Sequence, residues 1–147
     1  MKHIVAEVVL LSNGCCIPSY TCFSDEKLDE VVSRTLLDLI SEIYPPGDSH
    51  ILSEFSELLK AAQESTYISK NLALSDFCIN DKFVDLLPPR APIKGVHIYN
   101  GNTEDEADFS YEQVWAAIRH WVLFAHAIEE HGMSAMLGKK HNIALPS

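Results

Sequence analysis

A chain of 147 residues that is 47% hydrophobic and 22% charged is sized and composed for one folded globular domain, and excludes an intrinsically disordered one. Eleven Lys and Arg against 21 Asp and Glu leave a net charge of -10, which argues against a nucleic-acid binder, because phosphate contacts need clustered cations. The acidic balance serves solubility first and a basic protein partner second.

Taken in chain order, Ile4 to Leu11 is an apolar, β-branched run interrupted by Glu7, and Asn13-Gly14 follows it as a turn. Glu7 breaks the outline of a signal peptide, and Ser12-Asn13-Gly14-Cys15 lacks the form of a lipoprotein site. Cys15 to Phe23 then makes the second strand of a hairpin, and a two-residue turn would set Cys16 opposite Leu11 and Cys22 opposite Val5. Pro18 cannot donate to a ladder, so this strand is expected at an edge there, with the first strand inside. Cys15, Cys16, Cys22 and Cys78 show no CxxC spacing and read as reduced thiols, which points to a cytoplasmic protein.

Ser24 is placed to cap a helix whose first turn holds Asp25 and Glu26. Leu28, Val31, Val32, Leu36, Leu39, Ile40 and Ile43 form its apolar stripe, and Tyr44-Pro45-Pro46-Gly47 stops it. A second amphipathic helix starts at Asp48 or Ser49 and carries Ile51, Leu52, Phe55, Leu58, Leu59 and Ala62, so the two make a helix pair. Between Ser65 and Pro92 the pattern gives short strands at Tyr67-Ile68, Leu72-Ala73-Leu74 and Phe77-Cys78-Ile79, then a short helix from Asp81 to Leu87 closed by Pro88-Pro89. Gly95 to Tyr99 reads as a further strand beside the hairpin, and Asn100-Gly101 turns it into an acidic loop from Asn102 to Asp108.

Ser110 to Gly132 is the best-specified element. Ser110 and Gln113 fit a capping box, Phe109 and Val114 a hydrophobic staple, and Gly132 a C-terminal cap. Val114, Ile118, Trp121, Ala125 and Ile128 cluster on one side, but Ala116, Leu123 and Ala127 interrupt the polar side. Such a helix is either covered on more than one side within the fold or meets a partner, a homodimer being the simplest case. Residues 138–147 are expected to be a flexible tail. The fold class is α+β, a single domain over 1–147: an N-terminal hairpin with at least one further strand, an amphipathic helix pair, and a long C-terminal helix packed on the sheet.

Four groupings bear on function. Glu104, Asp105, Glu106 and Asp108 form the most plausible surface for a basic partner, although acids ahead of a helix also suit its dipole. Arg119, His126, Trp115 and Tyr99 would cradle a small metabolite or nucleotide if the fold assembled them. His126 and Glu130 lie four apart, with His97 or His120 as a third group, but the spacing is not that of a zinc-protease helix, so no metal is expected. Cys15 or Cys16 with His97 would serve a thiol enzyme, yet nothing places a base beside either thiol. The leading expectation is a non-enzymatic binding protein without cofactor, occupying a partner's surface as small acidic inhibitors and immunity-type proteins do, an analogy of size and charge alone. A small-metabolite binder comes second and a metal- or thiol-dependent enzyme third. Neither a nucleic acid nor a membrane is expected as partner.

Overall fold

The Asn13-Gly14 turn closes the first hairpin with one residue more than a two-residue turn has. In the computed structural model, which describes residues 1–45, 56–57, 59–60, 64, 68–71, 75–79 and 94–147, β1 (Lys2–Leu10) and β2 (Cys16–Ser24) are antiparallel. Gly14 donates to the Leu11 carbonyl at 2.9 Å, and Leu11 donates to the Cys15 carbonyl at 2.8 Å. Gly14 takes φ +86°, so Ser12-Asn13-Gly14 forms a three-residue loop with glycine at the left-handed position. The extra residue corrects the expected register: Cys16 faces Leu10 and Cys22 faces Ile4. A slip of one residue exchanges the faces of a strand, and this register buries Ile4, Ala6, Val8, Tyr20 and Cys22 together.

Two expectations for the next segments are overturned. Ser24 does not cap a helix; Asp25 and Glu26, at φ 49° and 68°, form a tight turn from β2 into β3 (Lys27–Leu28). The helix starts one turn later, where Asp29 accepts from the Val32 amide at 3.1 Å. It runs as Glu30–Val32, a π-helical Ser33–Leu37 and Asp38–Ile43, here called α1. Val32, Leu36, Leu39, Ile40 and Ile43 are buried as their spacing requires, whereas Leu28 and Val31 stay 50% and 43% exposed. Most of the second amphipathic helix lies outside the described residues; 56–57 and 59–60 are helical and Leu59 is buried. Leu72-Ala73-Leu74, the expected 81–87 helix and Pro88, Pro89 and Pro92 also lie outside them.

β4 (Ile68–Asn71), β5 (Ser75–Ile79), β6 (Val96–Asn100) and β7 (Glu106–Phe109) form a second antiparallel sheet in sequential order. The Gly95–Tyr99 strand therefore lies in this sheet and not beside the hairpin. The acidic loop is shorter than its composition suggests, because Glu106-Ala107-Asp108-Phe109 alternates across β7. What pairs with the inner edge of β1 is β8 (His141–Ala144), out of the stretch expected to be a tail. The first sheet thus runs β3-β2-β1-β8. On β2, Cys22 turns its amide and carbonyl away from β1, toward Ser33 and Asp29. By the two-residue period Pro18 presents its donor-less nitrogen to the same open edge, which guards it against a further strand.

The long helix α2 (Tyr111–His131) has the capping box, and Gly132 ends it at φ +86°. Its buried face, Val114, Ala117, Ile118, Trp121, Phe124, Ala125 and Ile128, packs on the first sheet, with Trp121 4.6 Å from the Tyr20 ring. On the other face Arg119, His126 and Glu130 are exposed and Leu123 is 71% exposed.

Gly95 packs against backbone: an added Cβ would sit 2.4 Å from the Phe109 carbonyl oxygen. Gly95→Ala must then push β6 from β7, and the expected loss is about 1–3 kcal/mol in urea unfolding, the usual cost of overpacking. Gly14 and Gly132 have no neighbour a Cβ would meet, so their substitutions lack this clash. Wild-type stability in Gly95→Ala would refute the close approach.

Candidate functional site

Most polar side chains that the sequence singles out are occupied inside the fold. Tyr44, the C-cap of α1, places its hydroxyl 2.9 Å from His126 Nε2, and its carbonyl accepts from Trp121 Nε1 at 2.7 Å. His126 is thereby tied to α1, while Glu130 lies beside His131 at 3.9 Å, so the pair does not form a metal site. Among the described residues no group of three or more His, Cys, Asp and Glu is arranged to hold a metal. Arg119 makes no ion pair with a described residue, and no hydrogen bond, ion pair or ring contact among them joins Tyr99 to Trp115, Arg119 or His126. Tyr99 lies on the face of β6 opposite the buried Val96, Ile98 and Asn100.

The thiols divide by environment. Cys15 is exposed at the hairpin tip and Cys16 is half-buried; no described hydrogen bond joins either to His97. Cys22 is buried, and burial with the nearby Asp29 charge pushes its thiol up to about 11, which suits a structural cysteine.

The four acids predicted as a partner surface have unequal roles. Asp108 accepts from His97 Nδ1 at 2.5 Å, and Glu106 lies 3.3 Å from His97 Nε2. Asp105 approaches Arg34 at 3.7 Å, and Arg34 also faces Glu30 at 3.5 Å. Glu104 stands exposed at φ 62° in the β6–β7 turn. Asn100, which reads from sequence as a turn residue, is buried and organises that turn: its Oδ1 accepts from Asn102 and Thr103, and its Nδ2 donates to the Arg34 carbonyl at 2.7 Å.

Arg34 and Asn100 thus draw two acidic segments, Asp25 to Glu30 and Glu104 to Asp108, to the same end of the molecule. There a cleft of about 460 Å³ lies between the start of α1, β7 and the C-terminal residues, lined by Lys2, Asp29, Val31, Asp108, Phe109 and Leu145 among others. A second, shallower one of about 590 Å³ adjoins it through Ser24, Asp29 and Val31, and adds Asp25, Leu28 and Glu30. Burial by itself would raise Asp29, but the Val32 amide and Lys2, 3.0 Å away, reverse this and hold its carboxyl below its ordinary value. The sequence signal for this site was present, an apolar pair at Leu28 and Val31 among acids, but it reads equally as the stripe of a buried helix.

No family model, no curated protein and no solved structure matches this chain. Among the described residues no helix is long and apolar enough to cross a membrane.

His120, the other proposed third ligand, is a joint between α2 and the first sheet. Tyr20 donates to the Ala117 carbonyl at 2.7 Å, and His120 Nδ1 lies 3.1 Å from the same hydroxyl. Burial lowers the His120 pKa below its ordinary value, and the His141 backbone offsets this only in part. The unfolded chain therefore binds this proton more readily than the folded one. His120 contributes full stability above the ordinary histidine value near 6.5, and that contribution is lost as pH falls below it toward the lowered folded value. Urea unfolding at pH 7 and pH 5 should show a smaller loss on acidification in His120→Gln than in wild type. An unchanged difference would assign the acid sensitivity elsewhere.

Proposed function

We propose that this protein is a non-enzymatic binding protein that occupies the surface of a basic protein partner, with the paired clefts around Val31 as the contact face. The observation that carries this reading is the exposure of Leu28 and Val31, 50% and 43%, inside a rim of Asp25, Asp29, Glu30 and Asp108. Apolar anchors within a charged rim are the usual anatomy of a protein interface, and an acidic rim selects and steers a cationic partner. The net charge of -10 adds to the steering.

The test must not dismantle the fold. Reversing Asp105, Glu106 or Asp108 would break partly buried contacts to Arg34 and His97, whereas Glu30 meets Arg34 only in an exposed pair of little strength, so Glu26→Lys, Glu30→Lys and Glu104→Lys make the better charge variant. The probes are peptides of mixed Lys, Arg and Leu, read by fluorescence polarisation. Affinity should fall as salt rises, and by about tenfold or more in the charge variant and in Leu28→Gln/Val31→Gln. Peptides that bind both variants as tightly as wild type would overturn the assignment.

A further inference from the structure

Apart from Leu123 on α2, the large apolar side chains exposed among the described residues gather at two ends of the molecule. Leu28 and Val31, with Met1, stand at the acidic clefts. At the tip of the β1–β2 hairpin Leu10 is 59% exposed, and Leu11, Ile17 and Leu137 are each 40% exposed. Ile17 faces Val9 just before the tip, and Leu137 bridges to Val8 on the side of β1 away from β2. Lys2 opposite Ser24 begins the ladder and Leu10 opposite Cys16 ends it. A strand of nine residues, about 27 Å, therefore separates the tip from the clefts.

The two ends also differ in charge. Residues 8–17 and 132–142, which form the tip and its flank, hold none of the 21 acids of the chain. Lys139 and Lys140 are exposed on that flank, and no ion pair joins either to a described residue. At the clefts Asp25, Glu26, Glu30 and Glu104 are exposed and outnumber the exposed Lys27. Shape distinguishes the ends as well, because the clefts are concave and the tip is a convex loop of fixed form. Leu11 donates to the Cys15 carbonyl and accepts from the Gly14 amide, while Asn13 Oδ1 accepts from the Cys15 amide at 3.0 Å. A loop already held in one shape loses little freedom on docking.

Charge decides which surface meets which. Tip against tip would oppose lysines, and cleft against cleft would oppose acids; tip against cleft sets unlike charges around apolar side chains on both sides. The net charge of -10 resists approach at long range, but physiological salt screens it beyond about 8 Å and leaves the facing ends to govern contact. Building on the reading of the acidic clefts as a contact face, we propose that their occupant is a second copy of this chain, whose hairpin tip sets Leu10 and Leu11 against Leu28 and Val31 and brings Lys139 and Lys140 to the acidic rim. Such a contact joins unlike surfaces, so each bound pair keeps one tip and one cleft free for further copies.

The full chain is examined by sedimentation velocity in reductant and physiological salt, over about a hundredfold range of concentration. Wild type should gain mass as concentration rises. The tip variant Leu11→Gln/Lys139→Glu/Lys140→Glu and the cleft variant Leu28→Gln/Val31→Gln should each associate at least tenfold more weakly. All five side chains are exposed, and Leu10→Gln replaces the tip variant if that one fails to fold. Mixed in equal amounts, the two variants should restore association and stop at a one-to-one pair, since one keeps an intact cleft and the other an intact tip. Wild type that stays monomeric while cationic peptides bind overturns self-association and leaves the cleft reading standing. Association unchanged in both variants, or lost in the tip variant alone as a tip-to-tip contact requires, overturns it too.

Discussion

The two sheets are fastened to one another at the π-helical turn of α1. Ser33 uses its hydroxyl to accept from the Cys22 amide of β2 at 2.9 Å, and the next residue, Arg34, uses its carbonyl to accept from Asn100 of β6 at 2.7 Å. Adjacent residues thus close the open end of one sheet and hold the turn of the other. Each bond is worth about 0.5–1.5 kcal/mol net, but breaking one strands a buried polar group at about 1–3 kcal/mol. Thr35, fully buried, returns its hydroxyl to the Val31 carbonyl, and Leu36 and Leu37 fill the space between. In the wider turn the Asp38 amide reaches Ser33, five residues back, as well as Thr35. The polar residues of this turn therefore meet the sheets while its leucines stay in the core.

A second joint depends on the first. The end of α1 carries Tyr44, whose carbonyl receives Trp121 and whose hydroxyl meets His126, so α2 is set against α1 at two heights. Tyr20 sets the same helix against the first sheet through the Ala117 carbonyl. Three aromatic polar tips are spent on named partners, which is how large buried side chains come to specify one arrangement. The consequence for function is that the inward polar groups of α2 are taken up in docking this helix against α1 and the first sheet.

Sequence patterns make some of this visible and hide the rest for physical reasons. The capping box and staple of α2 are local and close as their residues dictate, and Pro18 marks an edge because its nitrogen has no proton to give. The β2–β3 turn is hidden because Asp25 and Glu26 hold φ values of 49° and 68° that Asn and Gly usually supply, so their acidity reads as a helix start. The hairpin register is hidden because Asn-Gly fits loops of two or three residues, and only Ile4 and Cys22 buried together decide it. β8 is short and follows two lysines; Ile143 and Leu145 hint at alternation, but its pairing with Lys2 to Ala6 is a long-range fact. At the site, Glu106-Ala107-Asp108-Phe109 shows the period of a half-buried strand, yet the two acids just before it, Glu104 and Asp105, make a solvated loop the easier reading. That His97 faces Asp108 follows only once the strands are paired.

The acidity of the chain is therefore not one property. Asp29 is engaged by the α1 cap and Lys2 and Asp108 by His97, at hydrogen-bonding distance, while Asp105 faces Arg34 at 3.7 Å. Asp25, Glu26, Glu30 and Glu104 are exposed, and solvent screens whatever contacts they make within the chain. A carboxylate held beside histidine acts within the fold, while an exposed one beside Leu28 and Val31 has the freedom that a charged rim requires. The excess of acid is therefore divided between carboxylates engaged within the chain and carboxylates left to solvent. Since Arg34 lies where the two acidic segments meet, its contacts to Glu30 and Asp105 keep like charges together at a cost the intervening cation offsets.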